Sequence, residues 1–213
     1  MDYRGRWAAQ LSNAMNLPEW KVIENRLDVK NADSSISAFV GFKTLGLTIW
    51  DELTPNFFRD KSMKLIGEVF DLEGAPRTLP IERIGVRRIQ FATSDHPFSA
   101  VLKRYSELTT SPAFLQLIPG PRESMDVAIL VLNQTPFGGV RIASGPAAKG
   151  DQETFMQGHP KRKPEDGYYT DVDTFYRPAQ PEMMAAKKLE QIVGTLEREG
   201  RTITERVLAA VAL

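Results

Sequence analysis

The 213-residue sequence contains no cysteine and only two histidines, His96 and His159. The lack of cysteine excludes a disulfide framework, thiolate metal sites and a cysteine nucleophile, and so few histidines argue against a histidine-rich zinc site. Long apolar runs are missing too, because a run such as residues 127–132 is far shorter than the roughly 20 residues that cross a bilayer. The N-terminal residues include Asp2 and no apolar core, unlike a secretory signal, so we expect a cytoplasmic protein.

An excess of charge of either sign is also missing, since 27 Lys and Arg residues balance 27 Asp and Glu residues. A neutral chain has no overall field that attracts a polyanion or an anionic membrane, so nucleic-acid binding would need a local patch. With 42% hydrophobic and 25% charged residues, the composition is that of a folded soluble protein. A chain of this length buries roughly 70% of its unfolded surface, and we expect one domain that spans residues 1–213.

The N-terminal half of the sequence predicts one helix followed by strands. Apolar residues recur every four positions through residues 3–16, which predicts an amphipathic helix. The period then changes to two and predicts four strands, at residues 22–29, 36–50, 63–72 and 81–92. In the fourth strand the apolar residues change parity after Val86, so we expect a β-bulge near residues 85–88.

The C-terminal half predicts further strands after a helix at residues 98–108, which follows a Ser94-Asp95 start signal. The uninterrupted apolar run at residues 127–132 predicts that the strand at residues 125–133 is buried on both faces, in the centre of the sheet. The other predicted strands are residues 115–118, 140–143 and 168–176.

The end of the chain predicts two helices. Apolar residues from Met184 to Leu196 follow helical spacing, and we expect Gly200 to close that helix. Thr202 and Glu205 form a capping box that opens a last helix at residues 203–211. Strands in runs, with helices collected at the ends, favour an α+β fold: a mostly antiparallel sheet with helices packed on one face and at both chain ends.

Asp171 and Asp173 are the most suggestive pair of residues. They occupy alternate positions of a predicted strand, so their carboxylates are expected to project to the same side, about 7 Å apart. Such a pair can ligate a hard cation or act as acid and base; the alternative is a solvated face or ion pairs with arginine. Tyr169 and Phe175 share that parity, so we expect the acids to be partly buried and to need partners.

Arg87 and Arg88, in the fourth predicted strand, are the expected partners, because a half-buried carboxylate is tolerated when it is paired and hydrogen-bonded. By alternation, one of the two faces the acids. The other interpretation is that these arginines bind a phosphate or a nucleic-acid backbone. The residues predicted to bind a ligand or a partner are therefore Asp171, Asp173, Arg87, Arg88 and Tyr169.

Catalytic and cofactor motifs are missing from the sequence. The segment at residues 145–151 is not a phosphate loop, because Gly150 is followed by Asp151 and Gln152 where Lys and Ser/Thr are required, and no dinucleotide fingerprint, HExxH or EF-hand loop is present. His96 stands at a predicted helix start without a GxSxG elbow elsewhere, which favours a capping role. The sequence thus predicts no cofactor and no catalytic residue. His159 and the basic run 161–163 lie in a long loop, residues 134–167, of a kind that is often functional.

Three short segments follow one another along the C-terminal two thirds of the chain: RIGVRRI at residues 83–89, YTDVDTF at 169–175, and a closing helix pair with TIT at 202–204. They resemble a sporadically distributed, uncharacterised prokaryotic family that has an R-x-G-(L/V)-R-(Y)-(I/V) strand, a D-(I/V)-D strand and a final helix ending in an (I/V)-T segment. Arg88 replaces an aromatic residue of that family, and a helix replaces its apolar opening strand. The resemblance implies this order of elements and a mobile-element or host-defence setting.

Three functions are compatible with the sequence. The first is a non-enzymatic interaction protein that uses a sheet face or the 144–167 loop, with another protein or a second copy as its partner and without a membrane role. The second is a metal-assisted hydrolase or transferase built on Asp171 and Asp173, with Arg87 or Arg88 stabilising an anion. The third is a nucleic-acid-binding protein that uses these arginines and residues 161–163. We expect the first.

Overall fold

The structure, a computed structural model, describes residues 4–117, 127–151 and 165–211. Within these residues the fold is α+β, as predicted, with five helices and ten strands, and every strand pairing is antiparallel. The chain divides into two compact units. The first consists of Met1–Glu82 with Gln180–Gly194, and the second of Arg83–Ala179 with Thr195–Leu213. That the chain acts as one domain stays a prediction.

The first unit contains a four-stranded antiparallel meander. Its strands follow one another in the sheet as they do in the chain: β1 (Glu19–Ile23), β2 (Arg26–Lys30), β3 (Ile36–Gly41) and β4 (Leu45–Ile49). Two helices, α1 (Arg4–Met15) and α2 (Phe57–Phe70), contact each other, and α1 packs on β1 and β2. Leu11 and Met15 of α1 share a buried core with Leu27 and Val29 of β2 and Leu65 of α2. A separate two-stranded ribbon pairs β5 (Leu79–Ile81) with β10 (Glu182–Met184).

The sequence predicts the first helix of this unit correctly and its strands in part. The two long predicted strands are each a hairpin, because a turn at residues 24–25 separates β1 from β2 and a bend at residues 42–44 separates β3 from β4. The strand predicted at residues 63–72 is wrong, since this segment lies mostly in α2. Its alternating apolar residues imitate a strand, but the buried Leu65, Ile66 and Val69 recur at helical spacing.

The second unit is built on another antiparallel sheet of four strands. They are β6 (Ile84–Thr93), β7 (Ile129–Thr135), β8 (Gly138–Ala147) and β9 (Gly167–Tyr176). Their order in the sheet is β6-β9-β8-β7, so β9 lies inside and pairs along its full length with β6 and with β8. The strand predicted at residues 168–176 is thereby confirmed.

Two helices pack on one face of this sheet: α3 (Phe98–Thr109) and the C-terminal part of α5 (Ala186–Val211). Tyr105 of α3 and Val211 of α5 share a buried core with Tyr168 of β9. Between α3 and β7 lies the short α4 (Pro112–Gln116). In the part of the chain that the structure describes, no helix is both long and apolar enough to span a membrane.

β6 has no bulge, and this part of the prediction is wrong. Its ten residues pair one by one with the ten residues of β9. The change of parity arises because β6 has apolar residues on both faces of the sheet, and they are buried to different degrees. Val86 lies on the helix side and is buried, whereas Ile89 and Phe91 lie on the opposite face and are half-buried.

β7, expected in the centre of the sheet, lies at its edge. The strand begins at Ile129, and residues 125–126 of the prediction fall outside the described residues. Leu130, Val131 and Leu132 are 66%, 46% and 56% exposed. An uninterrupted apolar run indicates a central strand only where both faces are covered, and here they are not.

The remaining predictions for the second unit are mixed. The helix at residues 98–108 is confirmed as α3. The strand at residues 115–118 is wrong as far as it is described, since residues 112–116 form α4. The short strand at residues 140–143 is only the middle of the ten-residue β8.

One continuous helix, α5, replaces the two helices predicted for the chain end. It passes through Gly200 and Thr202 without a break. Thr202 Oγ1 donates to Arg198 O at 2.9 Å and Thr204 Oγ1 donates to Gly200 O at 2.8 Å, in each case one turn back along the helix. The capping box is therefore wrong, because the Thr202 hydroxyl bonds within an established helix instead of starting a new one.

Gly200 lies inside α5, which makes the effect of an alanine there predictable. A Cβ at this position would lie 3.4 Å from Thr174 Oγ1 and 3.6 Å from its Cγ2, which are ordinary contact distances. Gly200→Ala should raise the free energy of unfolding by about 0.5–1 kcal/mol in denaturant titration, since alanine favours a helix interior. Gly74→Ala is the control, and it should be destabilising because Gly74 has a φ of 79°. A loss of stability in Gly200→Ala would contradict the continuous helix.

Candidate functional site

β9 presents two different sets of side chains on the two faces of its sheet. Its even-numbered residues face α3 and α5, and Tyr169, Asp171, Asp173 and Phe175 lie on the opposite face. The prediction that both aspartates project to the same side is thereby confirmed. We call this side the arginine face, after the three side chains that contact the aspartates: Arg83, Arg87 and Arg141.

Asp171 accepts hydrogen bonds from two of these arginines. Arg87 donates from Nε to Oδ1 and from Nη2 to Oδ2, both at 2.8 Å, and Arg141 donates from Nη1 to Oδ2 at 3.4 Å. In the strand register both arginines lie opposite Asp173, so each reaches diagonally along the sheet to Asp171. A carboxylate buried to this degree is stable because charged donors replace the water that it loses.

Arg87 supplies a fixed positive charge to this pair. Its hydrogen bonds to Asp171 raise the pKa of its guanidinium, and the charges of Asp171 and Asp173 add to this against the opposing effect of burial. Arginine is already charged at every physiological pH, so the pair does not depend on pH through this group.

Asp173 is bound by an arginine that precedes β6. Arg83 donates from Nη2 to Asp173 Oδ2 at 2.7 Å, and its guanidinium carbon lies 5.2 Å from the centroid of the Phe175 ring. A cation over an aromatic ring is attracted to it, so Phe175 and Asp173 together orient Arg83. Arg83 therefore belongs to the same surface as the pair at Asp171.

The arginines form the outer layer of this surface and the aspartates the inner layer. The side chains of Arg83, Arg87 and Arg141 are 47%, 59% and 43% exposed, whereas those of Asp171 and Asp173 are 10% and 21% exposed. Three arginines over two aspartates leave one net positive charge. A molecule that approaches this face meets guanidinium groups whose orientation the carboxylates beneath them already fix.

Arg88, which was named with Arg87 as a candidate binding residue, points to the other face of the sheet and so does not join the aspartates. Its Nη2 donates to Glu197 Oε1 of α5 at 3.1 Å, and Arg201 donates to the same oxygen from Nε at 2.9 Å. Glu197 is buried, so the three side chains form an internal ion network. Alternation thus separates Arg87 from Arg88 as expected. The spacing of Glu197 and Arg201 by four residues was the one sequence signal for this network.

Two residues of the arginine face, Arg83 and Arg141, were not predicted from the sequence. Arg83 precedes its strand, where alternation gives no direction for a side chain. Arg141 reaches Asp171 because β8 pairs with β9, and pairing between strands distant in the sequence leaves no local signal. The one hint in the sequence was that Arg141 is a charged residue among the apolar residues of its predicted strand.

Tyr169 lies on the arginine face but is buried. It stands directly opposite Gly145 of β8, and a Cβ at Gly145 would lie 2.9 Å from Tyr169 Cε1. The ring thus covers the backbone of the glycine, as aromatic residues often do beside glycines in sheets. Its ring contributes packing to this face.

An apolar edge borders the arginine face. Leu130 and Leu132 of β7 lie on this face, Leu132 directly opposite Arg141, and Val131 lies on the helix side. All three are exposed. Cationic and apolar side chains therefore adjoin on one continuous side of the sheet.

Metal ligands are not clustered in the described ranges, where no group of three or more His, Cys, Asp or Glu side chains is arranged to hold an ion. His96 is exposed just after β6, and its backbone N–H donates to Ser94 Oγ at 3.2 Å. His159 and residues 161–163 lie outside the described residues, as does most of the 144–167 loop.

No family model, curated protein or solved structure matches this chain. The resemblance of residues 83–89 and 169–175 to a prokaryotic family stays a prediction. A function is therefore inferred from the contacts within the chain.

Proposed function

We propose that this chain is a non-enzymatic interaction protein that binds another protein through the arginine face. The observation that supports this is the layer of three exposed arginines, held over two paired aspartates and bordered by the leucines of β7. Arginine and apolar side chains together are typical of protein–protein interfaces and of their energetically important positions. Side chains that are already oriented lose little freedom on binding. The expected partner presents carboxylate or carbonyl oxygens beside apolar side chains.

The bonds of the aspartates favour binding over metal-assisted catalysis. Both oxygens of Asp171 accept hydrogen bonds from Arg87, and one oxygen of Asp173 accepts a bond from Arg83. A divalent cation would have to displace these donors at a site whose net charge is already positive. A general base also needs an oxygen turned toward its substrate, whereas Asp171 lies beneath its arginines. A hydrolase or transferase built on this pair is therefore the weaker proposal.

The charge of the face favours a protein partner over a nucleic acid. A phosphate backbone is bound by several cations whose charge is not already neutralised, and this face has one net positive charge. The chain as a whole is neutral. Retention on heparin or DNA at physiological salt would support the nucleic-acid alternative and count against a protein partner.

The partner can be identified with a matched pair of variants. The tagged wild type, Arg141→Gln and Lys43→Gln are each purified from the native host at the native level of expression. Arg141→Gln removes one charge from the arginine face and leaves both bonds from Arg87 to Asp171. Lys43→Gln removes the same charge from an exposed bend of the first unit. We expect wild type and Lys43→Gln to retain one stoichiometric protein, and calorimetry to show about tenfold weaker binding for Arg141→Gln.

Loss of binding can be separated from loss of the fold. Arg141→Gln should change the free energy of unfolding by less than about 1 kcal/mol, because a half-exposed ion pair contributes little. Equal binding by all three chains would contradict the assignment of the interface to the arginine face. Recovery of no stoichiometric protein would contradict the interaction function itself.

The setting proposed for this function is the prokaryotic cytoplasm, in a mobile-element or host-defence context. It is supported by the lack of cysteine, which suits a reducing compartment, and by the family resemblance of β6 and β9. Fractionation of native cells should place the chain with the soluble cytoplasmic proteins. Recovery from the membrane or from outside the cell would contradict this setting.

A further inference from the structure

The outer edge of β7 is an exposed apolar strand edge. In the described residues β7 pairs with β8 and with no other strand. Leu130 and Leu132 are exposed on the arginine face and Val131 is exposed on the other face, so the strand is apolar on both sides. An edge strand presents backbone N–H and C=O groups that can pair with a further strand.

β7 lacks the features by which proteins protect an edge. Its sequence, ILVLNQT, contains no charged residue, proline or glycine, and it pairs with β8 without a bulge. The opposite edge, β6, has Arg87 and Arg88 in its middle. Charges at an edge oppose the addition of another strand, so within the described residues this sheet is protected at β6 and open at β7.

We propose that β7 pairs with β7 of a second copy of this chain, joining two four-stranded sheets into one antiparallel sheet of eight strands. The uncharged edge disfavours an acidic or basic strand, and a second copy is the occupant that fits, because two identical β7 strands meet no charge repulsion and their exposed leucines can stand opposite each other. Antiparallel pairing about a twofold axis also gives both copies the same contacts. This proposal goes beyond the arginine face and does not depend on its partner.

One register fits the apolar side chains. When Val131 lies on the twofold axis, Leu130 of each copy stands opposite Leu132 of the other, so four leucines meet on one face. A shift by one pair in either direction puts Leu132 opposite Ala128, or Leu130 opposite the polar Gln134. Of these three registers, the one with Val131 on the axis is therefore the one in which every leucine stands opposite a leucine, with Ile129 opposite Asn133.

Single cysteines test this register directly, because the chain has no cysteine of its own. Residues opposite each other in an antiparallel pair have Cα atoms about 4.5–5.5 Å apart, which a disulfide spans. Val131→Cys should therefore form a covalent dimer under mild oxidation. In the same register the two copies of residue 132 are about 8 Å apart, too far for a disulfide, so Leu132→Cys should cross-link about tenfold more slowly or not at all.

Association in solution tests the interface without a cross-link. Sedimentation of the wild type should give the mass of a dimer. Leu130→Lys should give a monomer, because it adds like charges beside the axis, and its far-ultraviolet circular dichroism should match wild type because Leu130 is exposed. Leu53→Lys, at an exposed leucine of the first unit, should remain a dimer.

A wild type that stays monomeric up to its solubility limit, or equal cross-linking of the two cysteine variants, would overturn the proposal. The proposal would also be overturned if the free chain stayed monomeric and a different protein bound to the β7 edge. Failure of the dimer is distinguishable from failure of the arginine face. Arg141→Gln should remain a dimer. If the wild type is instead a monomer, and Arg141→Gln still loses the protein partner of the arginine face, the dimer alone is overturned.

Discussion

Replacement of Glu197 by alanine is expected to lower the free energy of unfolding by about 3–5 kcal/mol. The Glu197 side chain is 4% exposed, and it accepts hydrogen bonds from Arg88 and Arg201, which are themselves 21% and 20% exposed. Alanine would remove the acceptor that these two guanidinium groups share and leave them to repel each other. Removal of one member of a buried ion pair costs more than the intact pair contributes. Denaturant unfolding followed by circular dichroism measures the loss.

Glu199→Ala is the matched control, because Glu199 is exposed on the same helix. It should change the free energy of unfolding by less than about 0.5 kcal/mol. Glu197→Gln keeps the side-chain volume and one acceptor oxygen, so its effect should fall between the two alanine variants. Equal, small effects of Glu197→Ala and Glu199→Ala would contradict the buried network.

Asp171→Ala is expected to have the next largest effect, about 1.5–3 kcal/mol. The change removes three hydrogen bonds from arginine and places Arg87 and Arg141 side by side without the charge that joins them. The cost stays below that of Glu197→Ala because both arginines are about half exposed and regain contact with water. Thermal and denaturant unfolding both measure it.

Asp173→Ala is the control on the same face. Asp173 is more exposed and accepts one hydrogen bond, from the half-exposed Arg83, so its loss should cost only about 0.5–1 kcal/mol. Equal effects of the two alanine variants would contradict the difference in burial and hydrogen bonding between Asp171 and Asp173. Stabilisation of the wild type by Mg²⁺ or Mn²⁺ that both variants abolish would instead support the metal-assisted alternative.

β9 could be predicted from the sequence because its two faces lie in different surroundings. Tyr168 and Val172 pack against helices while Asp171 and Asp173 bind arginines, so alternation along the strand is visible in the sequence. The separation of Arg87 from Arg88 follows from the same rule. Local periodicity therefore predicted the part of the candidate site that lies on β6 and β9.

The remaining features depend on contacts that are distant in the sequence. The apolar run of β7 is the same whether a second strand covers its edge or not, so its position at the edge could not be predicted. Arg141 joins the site only because β8 lies beside β9. Gly200 is typical of a helix end, yet Thr174 packs against it and α5 continues. In each case tertiary packing overrides a local preference.

A double-mutant cycle of Arg87→Gln, Asp171→Asn and the double variant tests most directly the claim that Asp171 holds Arg87 in place on the binding face. The two 2.8 Å bonds between these side chains predict a coupling energy of about 1.5–3 kcal/mol, measured as the departure of the unfolding free energies from additivity. A coupling energy within about 0.3 kcal/mol of zero would mean that the two side chains act independently, and that Asp171 does not hold Arg87 in place.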